Sequence, residues 1–120
     1  MRVHGRPNLK GWLSWDGDFL LGPRYVRLLE GVDRTGTIRE ASLGTGLSYR
    51  TCLERIRRME RTLGARVVTT HRGGSGRGGA SLTPVAKQLI QAYRHWRDDV
   101  ERVSERAFTR ATQRVKVERR

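Results

Sequence analysis

Cysteine is nearly absent from this chain of 120 residues: Cys52 stands alone. A single thiol excludes an intrachain disulfide and any two-cysteine metal motif. The three histidines, His4, His71 and His95, are scattered, which argues against a metal site built on them. Long apolar runs are missing as well, and none approaches the ~20 residues of a membrane span. The first ten residues are basic but lead into no apolar segment, so they do not read as a secretory signal. Only Lys10, Lys87 and Lys116 are lysines. Hydrophobic residues make up 36% of the chain and aromatic residues 7%, so the core must be small. No nucleophile, base and orienting group can be assembled from what remains. These absences predict a soluble, cytoplasmic protein, not an enzyme, without metal or cofactor. It should hold one small domain plus at most one extra element.

What is abundant is positive charge. Lysine and arginine number 25 against 12 acidic residues, a formal net charge of +13. The corresponding pI is near 11.5. A GC-rich genome would favour arginine over lysine, but it would not create the excess. A charge of this size is the electrostatic footprint of a nucleic-acid binder. The arginine fork also suits phosphate and guanine edges.

Residues 1–10 are polar and read as a disordered basic tail. Two short apolar runs around Asp16-Gly17 predict a β-hairpin. Pro23 opens a first helix over about 23–34, stopped near Gly36. Thr37-Ile-Arg-Glu40 has the form of a capping box for a short helix, about 37–44. Ser48 caps the next, which runs to Leu63 and closes at Gly64. In that helix Cys52, Ile56, Met59 and Leu63 fall within about 60° of one another on a wheel of 100° per residue. Arg50, Glu54, Arg57, Arg58 and Arg61 occupy the opposite side. Then Arg66–Thr70 reads as a short strand, and 71–79, rich in glycine and arginine, as a loop returning through Ala80-Ser-Leu. Thr83-Pro84 starts a final helix. Leu82, Ala86, Leu89, Tyr93, Trp96, Val100, Val103 and Ala107 step by four and three, a heptad seam.

Two short helices joined by Gly44–Leu47, the second with a basic outer face, form a helix-turn-helix, and the Gly-rich loop between strands forms a wing. Ala41 should sit where the two helices approach closely. The fold class is therefore α+β: a winged helix-turn-helix with an N-terminal β-hairpin, a two-stranded wing and a long C-terminal dimerisation helix. It divides into a tail at 1–10, the DNA-binding domain at 11–82, the dimerisation helix at 83–110 and a basic tail at 111–120. The recognition helix, about 48–63, should enter the major groove and the wing, 71–79, should lie on the backbone or in the minor groove. Expected DNA contacts are Thr37, Ser48, Tyr49, Arg50, Thr51, Glu54, Arg55 and Arg58, with Arg72 and Arg77 from the wing. Arg57, Arg58 and Arg61 suit phosphate. The expected dimer interface is Trp12, Trp15, Leu89, Tyr93, Trp96, Val100, Val103 and Ala107. A nucleotide-type phosphate loop is disfavoured, since Gly-Lys-Ser/Thr is missing from the Gly-rich stretch.

The stretch Gly36–Gly64 resembles the helix-turn-helix of LysR-type regulators in Gly-Thr-Ile-Arg-Glu-Ala-Ser, in Leu47-Ser48 and in Ile56-Arg-Arg-Met-Glu-Arg-Thr-Leu-Gly. It resembles more closely the N-terminal domain of the molybdate-responsive ModE family. There the matching features are Ser48-Tyr49-Arg50, the wing Gly73–Thr83 and the opening hairpin with Leu-Gly-Pro. The resemblance covers roughly residues 11–95 and implies a winged-helix homodimer on a palindromic operator. ModE proteins typically carry C-terminal molybdate-binding domains beyond this region, so molybdate binding is not expected of this chain. Double-stranded DNA carrying an inverted-repeat operator is the expected partner, with the protein acting as a transcription regulator. Two alternatives are a chromatin-like binder without sequence preference and an adaptor whose last helix pairs with another protein.

Overall fold

In the computed structural model, residues 4–72 and 78–118 are described; Arg77 and most of the expected wing tip lie outside them. The order of elements is β1 (Leu13–Trp15), β2 (Asp18–Leu21), α1 (Pro23–Thr35), α2 (Ile38–Leu43), α3 (Tyr49–Leu63), β3 (Val68–Arg72), β4 (Gly78–Leu82) and α4 (Pro84–Ala111). This is the α+β winged helix with an opening hairpin and a long last helix that the sequence predicts.

β1 and β2 pair antiparallel, closing with Trp15 opposite Asp18. Asp16 (φ 50°) and Gly17 (φ 84°) both have positive φ, the requirement of a tight hairpin turn of the primed kind. Local chemistry also sets the helix starts. Thr37, Ser48 and Thr83 accept hydrogen bonds from the backbone amides of Glu40, Thr51 and Ala86. The capping box is only half made. Glu40 does not bond back to Thr37; the amide of Thr37 bonds instead to the Thr35 hydroxyl, 3.4 Å away. That hydroxyl in turn donates to the Gly31 carbonyl at 2.7 Å, so Thr35 links the end of α1 to the start of α2.

The core gathers Leu20, Leu21, Val26, Leu28, Leu29, Val32, Ile38, Cys52, Ile56, Met59 and Val67 from every layer. Ala41 also marks a close approach between α1 and α2: a Cβ placed on Gly31 of α1 would meet the Ala41 Cβ at 3.0 Å. In the turn before α3, the buried Thr45 hydroxyl donates to the Ser42 carbonyl at 2.7 Å and accepts from the Leu47 amide at 3.1 Å.

The wing strands extend further than the expected loop at 71–79 allowed, because His71 pairs with Gly79 and Arg72 with Gly78. A Cβ on Gly79 would lie 2.5 Å from Nε2 of the exposed His71 ring, which would have to swing aside to admit it. Three hydrogen bonds set the wing base: the first and last tie it to the domain, and the second closes the hairpin itself. The Ala80 amide donates to the Gly36 carbonyl at 2.7 Å. The Thr83 amide donates to the Val67 carbonyl at 3.0 Å. Glu60 accepts from the Val67 amide at 2.9 Å.

α4 has 28 residues, about 42 Å at ~1.5 Å rise per residue, and lies in a molecule 65 Å long. Its apolar track is not one continuous seam. Leu82, Ala86 and Tyr93, together with Ile90 off the heptad track, are buried in the chain's own domain, and Leu89 is partly buried there. Tyr93 is only 1% exposed, which corrects its assignment to a dimer interface: no surface is left to offer. Trp96 is exposed at one edge but leans on Tyr93, with ring centroids 5.8 Å apart, and its ring sits over Gly11. Beyond it Val103 and Ala107 are exposed and Val100 is half-buried. Residues 4–12 have no regular structure, yet Arg6, Pro7, Asn8 and Leu9 form a pocket wall with Glu101, Ser104 and Glu105 of α4. The helix also continues to Ala111, past the point where the heptad pattern ends.

Candidate nucleic-acid interface

α3 is amphipathic in the sense its sequence requires. Cys52, Ile56 and Met59 are fully buried, and Arg50, Glu54, Arg57, Arg58 and Arg61 are exposed. Among the described residues no ion pair involves Arg39, Arg50, Arg55, Arg57, Arg58, Arg61 or Arg72. The acidic residues that are paired have other partners. Glu60 meets Arg66 at 3.4 Å, Glu30 meets Arg94, and Asp98, Asp99 and Glu101 meet Arg97 and Arg102 of α4. Residues 37–82, the helix-turn-helix and wing, carry nine arginines against three glutamates.

Two clefts flank the outer face of α3. One, of about 620 Å³, lies between α2, α3 and the wing and is lined by Thr37, Arg39, Tyr49, Arg57, His71 and Arg72, among others. The other, of about 580 Å³, is lined by Tyr25, Thr51, Glu54, Arg55, Arg58 and Arg61, and shares Arg57 with the first. Thr37, Tyr49 and Arg72 are thus brought to one cleft, and Thr51, Glu54, Arg55 and Arg58 to the other. Arg50 is exposed at the start of α3, outside both.

Several of these side chains are already engaged. The Ser48 hydroxyl accepts from the Thr51 amide at 3.1 Å and donates to the Thr51 hydroxyl at 3.0 Å, so its first role is the helix cap. Arg55 is half-buried, with its guanidinium 5.2 Å from the ring centroid of Tyr25 in α1. Arg39, absent from the contacts expected from the sequence, lies 4.5 Å from the ring centroid of Tyr49. The available signal for it was an arginine in the first turn of α2 and an aromatic residue at the first position of α3. Their meeting depends on the angle between two helices, which spacing does not reveal. Arg77 lies outside the described residues. Trp12 and Trp15 are 60% and 45% exposed on the opening hairpin. Among the described residues no group of three metal-ligating side chains converges, and no helix is long and apolar enough to cross a membrane.

No family model matches the chain. Individual relatives do. The chain is 42% identical over 73 residues to the molybdenum-pterin-binding protein MopB of Rhodobacter capsulatus, covering 61% of this chain and 27% of that one. It is 31% identical over 88 residues to the transcriptional regulator ModE of Haemophilus influenzae, covering 73% and 33%. It is also 31% identical over 86 residues to the DNA-binding transcriptional dual regulator ModE of Escherichia coli, covering 72% and 31%. The chain is a homologue of the ModE and MopB proteins. It spans about a third or less of the length of these relatives. Two of the three are named as regulators and none as an enzyme. The likeness to ModE expected from Ser48-Tyr49-Arg50 and the wing is thereby borne out.

Proposed function

We propose that this chain is a DNA-binding transcription regulator that reads double-stranded DNA through α3. The observation that carries the reading is the outer face of α3: five arginines on one helix, none ion-paired among the described residues, beside a basic wing. Proteins that neutralise phosphates need such cations free, since binding is driven by counterion release. The names of the ModE relatives support the same role.

In this reading α3 lies in the major groove. Arg50 contacts a base edge from the start of the helix, where side chains of a recognition helix reach deepest. Tyr49, Thr51, Glu54 and Arg55 neighbour it, with Thr37, Arg58, Arg72 and Arg77 on the flanking backbone or minor groove. Two copies associate as a homodimer through Trp12, Trp15, Trp96, Val100, Val103 and Ala107. A two-fold dimer sets two recognition helices about 34 Å, or a multiple of that, apart, and so requires an inverted repeat.

Binding of the full chain to genome-derived fragments and to random duplex, each titrated against salt, tests the reading. A fragment bound at least ~10³-fold more tightly than random duplex at physiological salt supports a sequence-specific regulator. Equal affinity for all sequences, with a steep salt dependence, would instead establish the chromatin-like alternative.

A further inference from the structure

The cleft between α3 and the wing has chemistry that base recognition does not use. Its described lining includes three arginines, Arg39, Arg57 and Arg72, none ion-paired, and one acidic residue, Glu40. Arg39 comes from α2, Arg57 from the middle of α3, and Arg72 from the end of β3. Three separate elements thus bring positive charge to one concavity of about 620 Å³.

We propose that this cleft seats one sugar-phosphate strand of the duplex, with Arg39 as a phosphate ligand that Tyr49 holds in position. The proposal rests on the reading of α3 as a major-groove helix with the wing against the neighbouring minor groove. The two grooves of a duplex are separated by a single backbone strand. A protein that engages both from adjacent elements must let that strand pass between them. The space between α3 and β3–β4 is this cleft, and phosphodiester is the chemistry its arginines suit.

The stack explains why Arg39 is suited to the task. A long side chain loses rotamer freedom when it binds, and that entropy opposes the contact. The face of Tyr49, 4.5 Å from the guanidinium carbon, restrains Arg39 before DNA arrives. Unlike a carboxylate partner, the ring does this without neutralising the charge. Tyr49 is therefore a positioning residue for Arg39. Its phenolic hydroxyl is not needed for that role, but its ring is.

Salt titrations of the full chain on a random-sequence duplex test the assignment, because phosphate contacts are sequence-independent. Arg39→Gln is expected to make the log–log salt slope shallower by about 1 unit. Tyr49→Phe should leave the slope unchanged. Tyr49→Leu should weaken binding, and Arg39→Gln with Tyr49→Leu should be no weaker than Arg39→Gln alone. Both residues are exposed, so all variants should share one thermal midpoint. An unchanged slope in Arg39→Gln, or additive losses in the double variant, overturns the assignment while leaving the DNA reading standing. Failure of the unaltered chain to bind any duplex overturns both.

Discussion

The Tyr93 hydroxyl donates to the Gly11 carbonyl at 2.9 Å, joining the middle of α4 to a position 82 residues earlier. The Trp96 ring, one helical turn on, covers the same glycine so closely that a Cβ there would collide with it. These two contacts fasten the segment before the opening hairpin to the last helix. Tyr93→Phe is expected to lower unfolding stability by about 0.5–1.5 kcal/mol, the net worth of one hydrogen bond. Gly11→Val should lose more, because the indole must leave its position on Tyr93. Urea denaturation checks both, and equal stability of Tyr93→Phe and the unaltered chain would show the bond to be energetically idle.

Gly31 poses a contest between two effects. Alanine is the better helix former by about 1 kcal/mol. Here, however, its Cβ would lie 3.0 Å from the Ala41 Cβ and 3.1 Å from its Cα. Backbone atoms cannot swing aside, and overpacking of this kind costs about 1–3 kcal/mol. Gly31→Ala should therefore destabilise, with partial rescue by Ala41→Gly. A rise in thermal midpoint for the single substitution would show that α1 and α2 can separate cheaply.

Arg50 is exposed at the start of α3, with no ion-pair partner among the described residues. Arg50→Ala should cost about 1–3 kcal/mol of affinity for the preferred site and relax the preference at one base pair. Binding to random duplex should fall much less. Equal losses on both would assign Arg50 to phosphate.

For self-association the decisive residues are Val100 and Val103, which lie on α4 beyond the chain's own core. Val100→Glu with Val103→Glu should give a monomer in analytical ultracentrifugation and weaken operator binding, with helix content retained by circular dichroism. Trp96 is a poorer choice, because its contacts with Gly11 and Tyr93 would confound the result. A dimer that survives both glutamates would remove this part of α4 from the interface.

The features legible in the sequence were those that neighbouring residues decide. The caps at Thr37, Ser48 and Thr83 and the Asp16-Gly17 turn depend on backbone groups only a few positions away. The buried arc of α3 follows from one helical period. What escaped was decided across elements. Glu40 matched a capping motif, yet Thr35 from the preceding helix took the Thr37 amide. By its spacing alone, the heptad on α4 is one seam facing a second copy. The same four-three spacing serves equally well against the chain's own α1 and N-terminal segment, and only the fold divides it near Trp96. Ile90 was missed because it lies off that track. Arg39 was missed because the ring that makes it notable belongs to another helix.

The hydrogen bond from Ala80 to the Gly36 carbonyl has a wider consequence. It anchors the hairpin at the corner between α1 and α2, whose close contact already limits their movement. In the complex proposed above, such an anchor would make the offset between the groove α3 enters and the groove the wing touches a property of the protein rather than of the DNA. On DNA held as proposed, a duplex whose grooves fall out of step with that offset must twist or bend to fit. The stiffness of base steps the protein never touches would then become part of what it recognises.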